Sequence, residues 1–298
     1  MSQAVSLNKS AAPQGQSLWQ LARRRLLRNK AAMGSFVILI LLAVFALITP
    51  YLRPFAIDEV FWDDMGTAPS LENGHWFGTD VNGRDLFIRT MFGIRISLLV
   101  GLCATAVSLI IGVTYGAIAG YAGGRLDSVM MRVVDVLYAM PFMFFVILLM
   151  VFFGKNIYLM FAAIGAIEWL TMARIVRGQA MSLRHKEFIA AAEALGVSGG
   201  SIIKRHIVPN TLGTVIVYVT LTIPAVILTE SFLSFLGLGV QPPTPDWSTM
   251  ISDAMLYYRQ APHLIIVPGA ALVLLVGALN TVGQMLRRRF DIHREVRG

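Results

Sequence analysis

Charge is scarce in this sequence. Only 14% of its 298 residues are Asp, Glu, Lys or Arg, where a soluble chain carries about 25%. A chain so poor in charge cannot cover itself with polar surface while hiding a 56% hydrophobic complement in one core. An ordinary soluble domain is thereby excluded, and lipid must be part of the solvent. Cysteine is nearly absent: the single Cys103 rules out a disulfide framework or a cysteine-built metal site within the chain. The histidines His75, His185, His206, His263 and His293 are scattered without ligand spacing, so no metal site is expected. No G-x-x-x-x-G-K-[ST] phosphate cradle occurs, and the chain has no visible means of gripping nucleotide phosphates. No Ser/His/Asp set or convergent carboxylate pair is legible either, so the expectation is a non-enzyme that binds no cofactor of its own. Acids are outnumbered 17 to 25 by Lys and Arg, a net charge of +8. In a soluble protein that excess would suggest nucleic acid. Its placement in blocks between apolar runs argues against a nucleic-acid partner.

What is abundant is long apolar sequence. Six stretches approach or exceed the ~20 residues a helix needs to cross a bilayer: about 33–52, 96–119, 133–153, 157–172, 212–236 and 264–286. The expected fold is an all-α membrane protein with six transmembrane helices. The segments between them alternate in charge. The first 32 residues hold Lys9, Arg23, Arg24, Arg25, Arg28 and Lys30 with no acid, and 53–93 is acidic. The segment 173–211 is basic again, and the tail carries Arg287, Arg288, Arg289, Arg294 and Arg297. By the positive-inside rule both termini and 173–211 are cytoplasmic, while 53–93 and 237–263 lie outside. The chain then divides into a cytoplasmic arm (1–32), a first transmembrane helix (33–52), an external segment (53–93), a five-helix core (94–286) and a cytoplasmic tail (287–298).

Four features stand out within this plan. Ser108, Gly112, Gly116, Gly120 and Gly124 recur every fourth residue, a small-residue seam that lets another helix backbone approach closely, at a subunit interface or inside one bundle. The segment 184–209 reads as a helix–turn–helix. Phe188, Ala192 and Leu195 form an apolar stripe, Gly196 stops the first helix, and a second short one runs from Ser201 toward Pro209. Exposed and basic, it suits docking into a partner's groove. Asp135, three residues after Arg132, suggests a local i,i+3 ion pair. Glu168 and Glu230 fall inside apolar spans, where an acid is costly and faces either a partner or a wet pathway; both are candidate pathway residues.

The stretches "HWFGTDVNGRDLFIRTMFGIRISLLVG" (75–101), "GYAGGRLDSVMMRVVDVLYAMP" (120–141), "SFLGLGVQPPTPDW" (234–247) and "LARRRLLRNKAAMGS" (21–35) resemble the permease subunits of ABC importers, specifically the "C" permease of the oligopeptide/dipeptide group. The resemblance spans about 18–283. It implies a type I importer permease in the bacterial inner membrane. It also implies a different second permease subunit, two ABC ATPase subunits that use ATP and Mg, and an extracytoplasmic peptide-binding protein. The 184–209 segment is similar to the loop through which such permeases engage their ATPases. Ala190, Ala191 and Ala192 occupy the place of the family's Glu-Ala-Ala triplet, flanked by Glu187 and Glu193 and followed by Gly196 and Pro209. The tail departs from the family pattern, with Arg287, Arg288 and Arg289 in an unusually basic run. The function so implied is import of oligopeptides or dipeptides. Alternatives are another cargo, such as a nickel chelate or glutathione, and a self-contained secondary transporter, although no internal repeat is legible.

Overall fold

In lipid every backbone N–H and C=O must be satisfied within the protein, which favours helices. The computed structural model describes residues 29–295 apart from 53, 54, 155, 240, 242 and 243. Most of the expected arm (1–28) and the end of the tail (296–298) lie outside the described residues. Among the described residues the regular structure is helical, without a strand. In chain order the helices are α1 (Lys30–Leu52), α2 (Leu86–Ala122), α3 (Gly124–Ala139), α4 (Phe142–Phe153), α5 (Ile157–Arg184), α6 (Glu187–Ala194), α7 (Gly199–Phe235), α8 (Trp247–Ala254) and α9 (His263–Glu295). Helices α1, α2, α5, α7 and α9 each contain a stretch long and apolar enough to cross a membrane, and α3 with α4 makes a sixth crossing only if the bent pair is taken together.

The third span is where the sequence expectation needs correction. Expected as one run over 133–153, it is broken at Met140–Pro141, and the flanking helices meet at 82°. Pro141 causes the break: it lacks an N–H, and its ring disfavours the helical region for the residue before it. Met140 accordingly sits at φ −73°, ψ 130°. Two other spans are longer than their apolar stretches. Helix α2 begins at Leu86 because Asp85 caps it, accepting a hydrogen bond from the Ile88 N–H at 2.9 Å. Helix α5 continues past 172 to Arg184, since hydropathy marks where lipid ends and not where a helix must. The expected short helix at 201–209 is the start of α7 itself. One π-helical turn, Ile203–Ile207, precedes Pro209 in it and adjusts the backbone to the proline's missing donor.

Helices α2 and α5 run parallel and in close contact along the small-residue seam. A Cβ added to Gly112 would stand 2.5 Å from the Met172 Cβ, and one at Gly120 would stand 2.5 Å from the Arg177 carbonyl oxygen. Gly116 faces Ala173 and Val176 in the same way, and Ser108 is fully buried. The seam is thus filled by the chain's own α5 over Gly112, Gly116 and Gly120. Gly124 does not belong to it: that residue begins α3 at φ +57° with nothing within 4 Å of an added side chain. Its four-residue spacing continues past the end of α2 at Ala122, so periodicity no longer reports a face.

Apolar burial falls into three clusters that mark the depth of the bundle. One joins α1, the start of α2, α8 and the start of α9 around the fully buried Trp247. Its indole N–H donates to the Thr90 carbonyl at 2.8 Å. The segment 55–85 caps this end. His75, 2% exposed, lies between Asp85 (Nδ1–Oδ2, 2.8 Å) and Asp64, against the Phe61 ring. A second cluster joins α2, α4, α5 and α7, and the third closes the opposite end around α6.

Candidate functional site

The segment singled out by sequence, 184–209, is a helix corner at the end of the bundle opposite the 55–85 cap. A break at His185–Lys186 separates α5 from α6, and α6 ends in a glycine turn. The Gly196 N–H donates to the Glu193 carbonyl at 2.9 Å, and the Val197 N–H to the Ala192 carbonyl at 3.1 Å. This pairing requires a left-handed residue after the helix, and Gly196 supplies it at φ +76°. Ile189 and Ala192 point inward onto Val176, Ala180, Ile202 and Ile207. The expected stripe Phe188–Ala192–Leu195 is therefore split. Ala192 is buried at 6% exposure, whereas Phe188 and Leu195 stand out at 43% and 83%. An eight-residue helix turns through two faces, and seating it takes the Ile189 side. Glu187, Ala190, Ala191 and Glu193 are exposed with Phe188 and Leu195, and Pro209 lies exposed in α7 just past its π-helical turn. The result is a small acidic and apolar knob on a fixed seat.

Polar ties hold this end together, and sequence spacing gives no sign of them. Arg177 on α5 grips Asp127 on α3 through both carboxylate oxygens at 2.5 and 2.6 Å. Arg174 donates to Asp135 at 2.8 Å and lies over the Tyr138 ring. The expected Arg132–Asp135 pair gives way to this one, because Asp135 faces α5 across the bundle. Arg184 donates to the Ala122 carbonyl at 3.1 Å, and the Tyr121 hydroxyl donates to Glu193 at 3.0 Å. These partners lie 39 to 72 residues apart in the chain.

The two intramembrane acids occupy different settings. Glu168 is half-buried on α5, with the Tyr218 hydroxyl of α7 in electrostatic reach and no ion pair among the described residues. Glu230 is fully buried inside this subunit's own bundle and accepts from the Ser234 hydroxyl at 3.0 Å. Its second oxygen has no donor. Its carboxyl lies near Asp246 at the start of α8. Asp246 caps that helix, accepting from the Thr249 N–H at 3.2 Å, while burial pushes its carboxyl up from the ordinary value. Asp246 and Tyr121 are the residues that sequence reasoning missed. The first lies within the "PTPDW" stretch, and the second marks the end of α2. Among the described residues no cluster of His, Cys, Asp and Glu could hold a metal ion.

Residues 112–294 match the family described as binding-protein-dependent transport system inner membrane component. Residues 17–69 match the N-terminal TM domain of oligopeptide transport permease C. The chain is 51% identical over 278 residues to the oligopeptide transport system permease protein OppC of Escherichia coli (strain K12), covering 93% of this chain and 92% of that one. The corresponding protein of Haemophilus influenzae is 50% identical over 93% of this chain and 89% of its own length. The dipeptide transport system permease protein DppC of Bacillus subtilis (strain 168) is 46% identical over 80% of this chain and 74% of its own.

Proposed function

Because this chain belongs to the family of binding-protein-dependent transport system inner membrane components, we propose that it is the permease subunit of an ATP-driven importer that moves oligopeptides or dipeptides across the bacterial inner membrane. One observation carries the proposal: alignment at about half identity over 93% of the chain with curated oligopeptide permeases. The helix corner supplies the physical complement. A rigidly seated, exposed knob is what a membrane subunit needs if force generated on another chain is to move its spans.

The termini and α6 face the cytoplasm, and the 55–85 cap with α8 faces outward. Support comes from the basic residues around α6 (Arg174, Arg177, Arg184, Lys186, Lys204 and Arg205) and the acidic composition of 53–93. Two ATPase subunits bind ATP and Mg and close on each other, while this chain binds no cofactor. Glu187, Phe188, Ala190, Ala191 and Leu195 form the surface they engage, with Ala192, Glu193, Gly196 and Pro209 setting its shape and position. Closure tilts α5 and α7 and exposes the pathway alternately to the two sides. A second, different permease subunit completes that pathway, and a peptide-binding protein delivers cargo from outside. Glu168, half-buried without an ion pair, lines the path.

The test is uptake of a labelled peptide into proteoliposomes holding this chain, its second permease and the ATPases, with the binding protein on the far side. ATP-dependent uptake that vanishes when this chain is omitted is expected. Equal uptake without it, or uptake by this chain alone, would overturn the reading.

A further inference from the structure

At the inner end of the bundle, Tyr121 is the penultimate residue of α2. Its hydroxyl donates to the Glu193 Oε1 of α6 at 3.0 Å across 72 residues of sequence. The flank of its ring lies against Gly199, the first residue of α7, where an added Cβ would come within 3.1 Å of the ring carbon Cε1. One side chain therefore touches α6 and the start of α7 from the end of α2. The next residue, Ala122, accepts from Arg184 at the end of α5. Gly123 and Gly124 follow at φ +65° and +57° and turn the chain into α3.

Among the described residues α6 is also seated by apolar contacts of Ile189 and Ala192 and by the Phe188 ring against His206, centroids 6.3 Å apart. Apolar burial is non-directional, so by itself it resists lifting of α6 more than sliding. A hydrogen bond from a fixed ring to a carboxylate is directional. The acceptor belongs to an exposed residue, so removing the bond leaves no buried group stranded.

We propose that Tyr121 is a positioning residue for coupling: its hydroxyl, held at the end of α2, fixes the register of α6 through Glu193, so that displacement of α6 by an ATPase is delivered to α2 and to the α3 that follows it. The proposal rests on the permease reading above.

The test uses the assembled importer in proteoliposomes, and reads ATP hydrolysis with and without loaded binding protein together with peptide uptake. Tyr121→Phe keeps the ring against Gly199 and removes only the hydroxyl. It is expected to leave subunit recovery and basal hydrolysis unchanged while lowering stimulation and uptake about 2- to 30-fold, the range for residues along a coupling network. Glu193→Ala should give the same loss, Glu193→Gln, which retains an acceptor oxygen, should be near wild type, and Tyr121→Phe combined with Glu193→Ala should be no worse than either alone. Wild-type stimulation in Tyr121→Phe would overturn the proposal, as would loss of the assembled complex in that variant. Losses that multiply in the double variant would also overturn it, because Glu193 would then act on the ATPase independently of Tyr121. A wild-type assembly with no ATP-driven uptake would instead overturn the permease reading itself, and the proposal with it.

Discussion

Single residues show how little room this bundle leaves. At Gly112 the missing side chain is occupied by Met172 and by the Trp169 carbonyl, 2.9 Å from where a Cβ would sit. Gly112→Val pushes against backbone that cannot repack, a cost of about 1–3 kcal/mol or more. We expect a marked fall in folded protein recovered by size exclusion in detergent. Gly178→Ala, on the facing helix α5 with nothing within 4 Å, should be recovered at wild-type levels; equal recovery of both variants would refute the seam. Asp246 gives a pH signature. Burial raises its carboxyl above the ordinary 3.8, against the opposing pull of the Thr249 N–H. A raised acid binds its proton more tightly when folded, so it favours the fold at low pH, and that advantage is lost as pH rises from 3.8 through the folded value. The thermal midpoint in detergent should therefore fall as pH is raised above 3.8. Asp246→Asn, which keeps an oxygen for Thr249, should flatten that fall. An identical slope in the two proteins would contradict the assignment.

At the scale of elements, the turn after α6 carries the sharpest expectation. Gly196→Val forces a β-branched residue to φ +76°, a strain of roughly 1–2 kcal/mol. Nothing lies within 4 Å to clash, so the effect is on backbone shape alone. Membrane insertion should be normal while ATPase stimulation and peptide uptake drop. Wild-type uptake in this variant would show that the turn is not part of coupling. The elements also show where sequence runs out. Apolar length located the five helices long and apolar enough to cross a membrane, because lipid demands it residue by residue. It could not say that the third expected span would break at Met140–Pro141, since a proline inside a span is tolerated wherever neighbours satisfy the freed backbone. Nor could it tell that α5 runs on to Arg184, because outside lipid a helix can continue on polar residues.

The whole molecule is a bundle whose two ends are built differently. The 55–85 cap, α8 and Trp247 close one end with buried aromatics and a His75–Asp85 pair. The other end is tied by long-range polar contacts, Arg177–Asp127 and Tyr121–Glu193, around a projecting helix. Alternating charge blocks suggested the two-sidedness, and the segment 184–209 pointed to the projecting helix. The contacts that tie it down were invisible, because side chains 50 and 72 residues apart meet only after the helices pack. The same limit applies to Glu230: sequence gave its depth, but only the fold shows that it lies near Asp246 inside the bundle.

The central claim is that α6 is where the ATPase meets this chain, and one cross-linking measurement addresses it directly. In a Cys103→Ser background, Leu195→Cys places a thiol on the most exposed apolar residue beside α6, at 83% exposure. Ile110→Cys places one on the outward face of α2, at 64%. With a short bifunctional thiol-to-amine reagent and the assembled importer, the account predicts an adduct with an ATPase subunit at Leu195→Cys and none at Ile110→Cys. An intact assembly that yields no adduct at Leu195→Cys would contradict it.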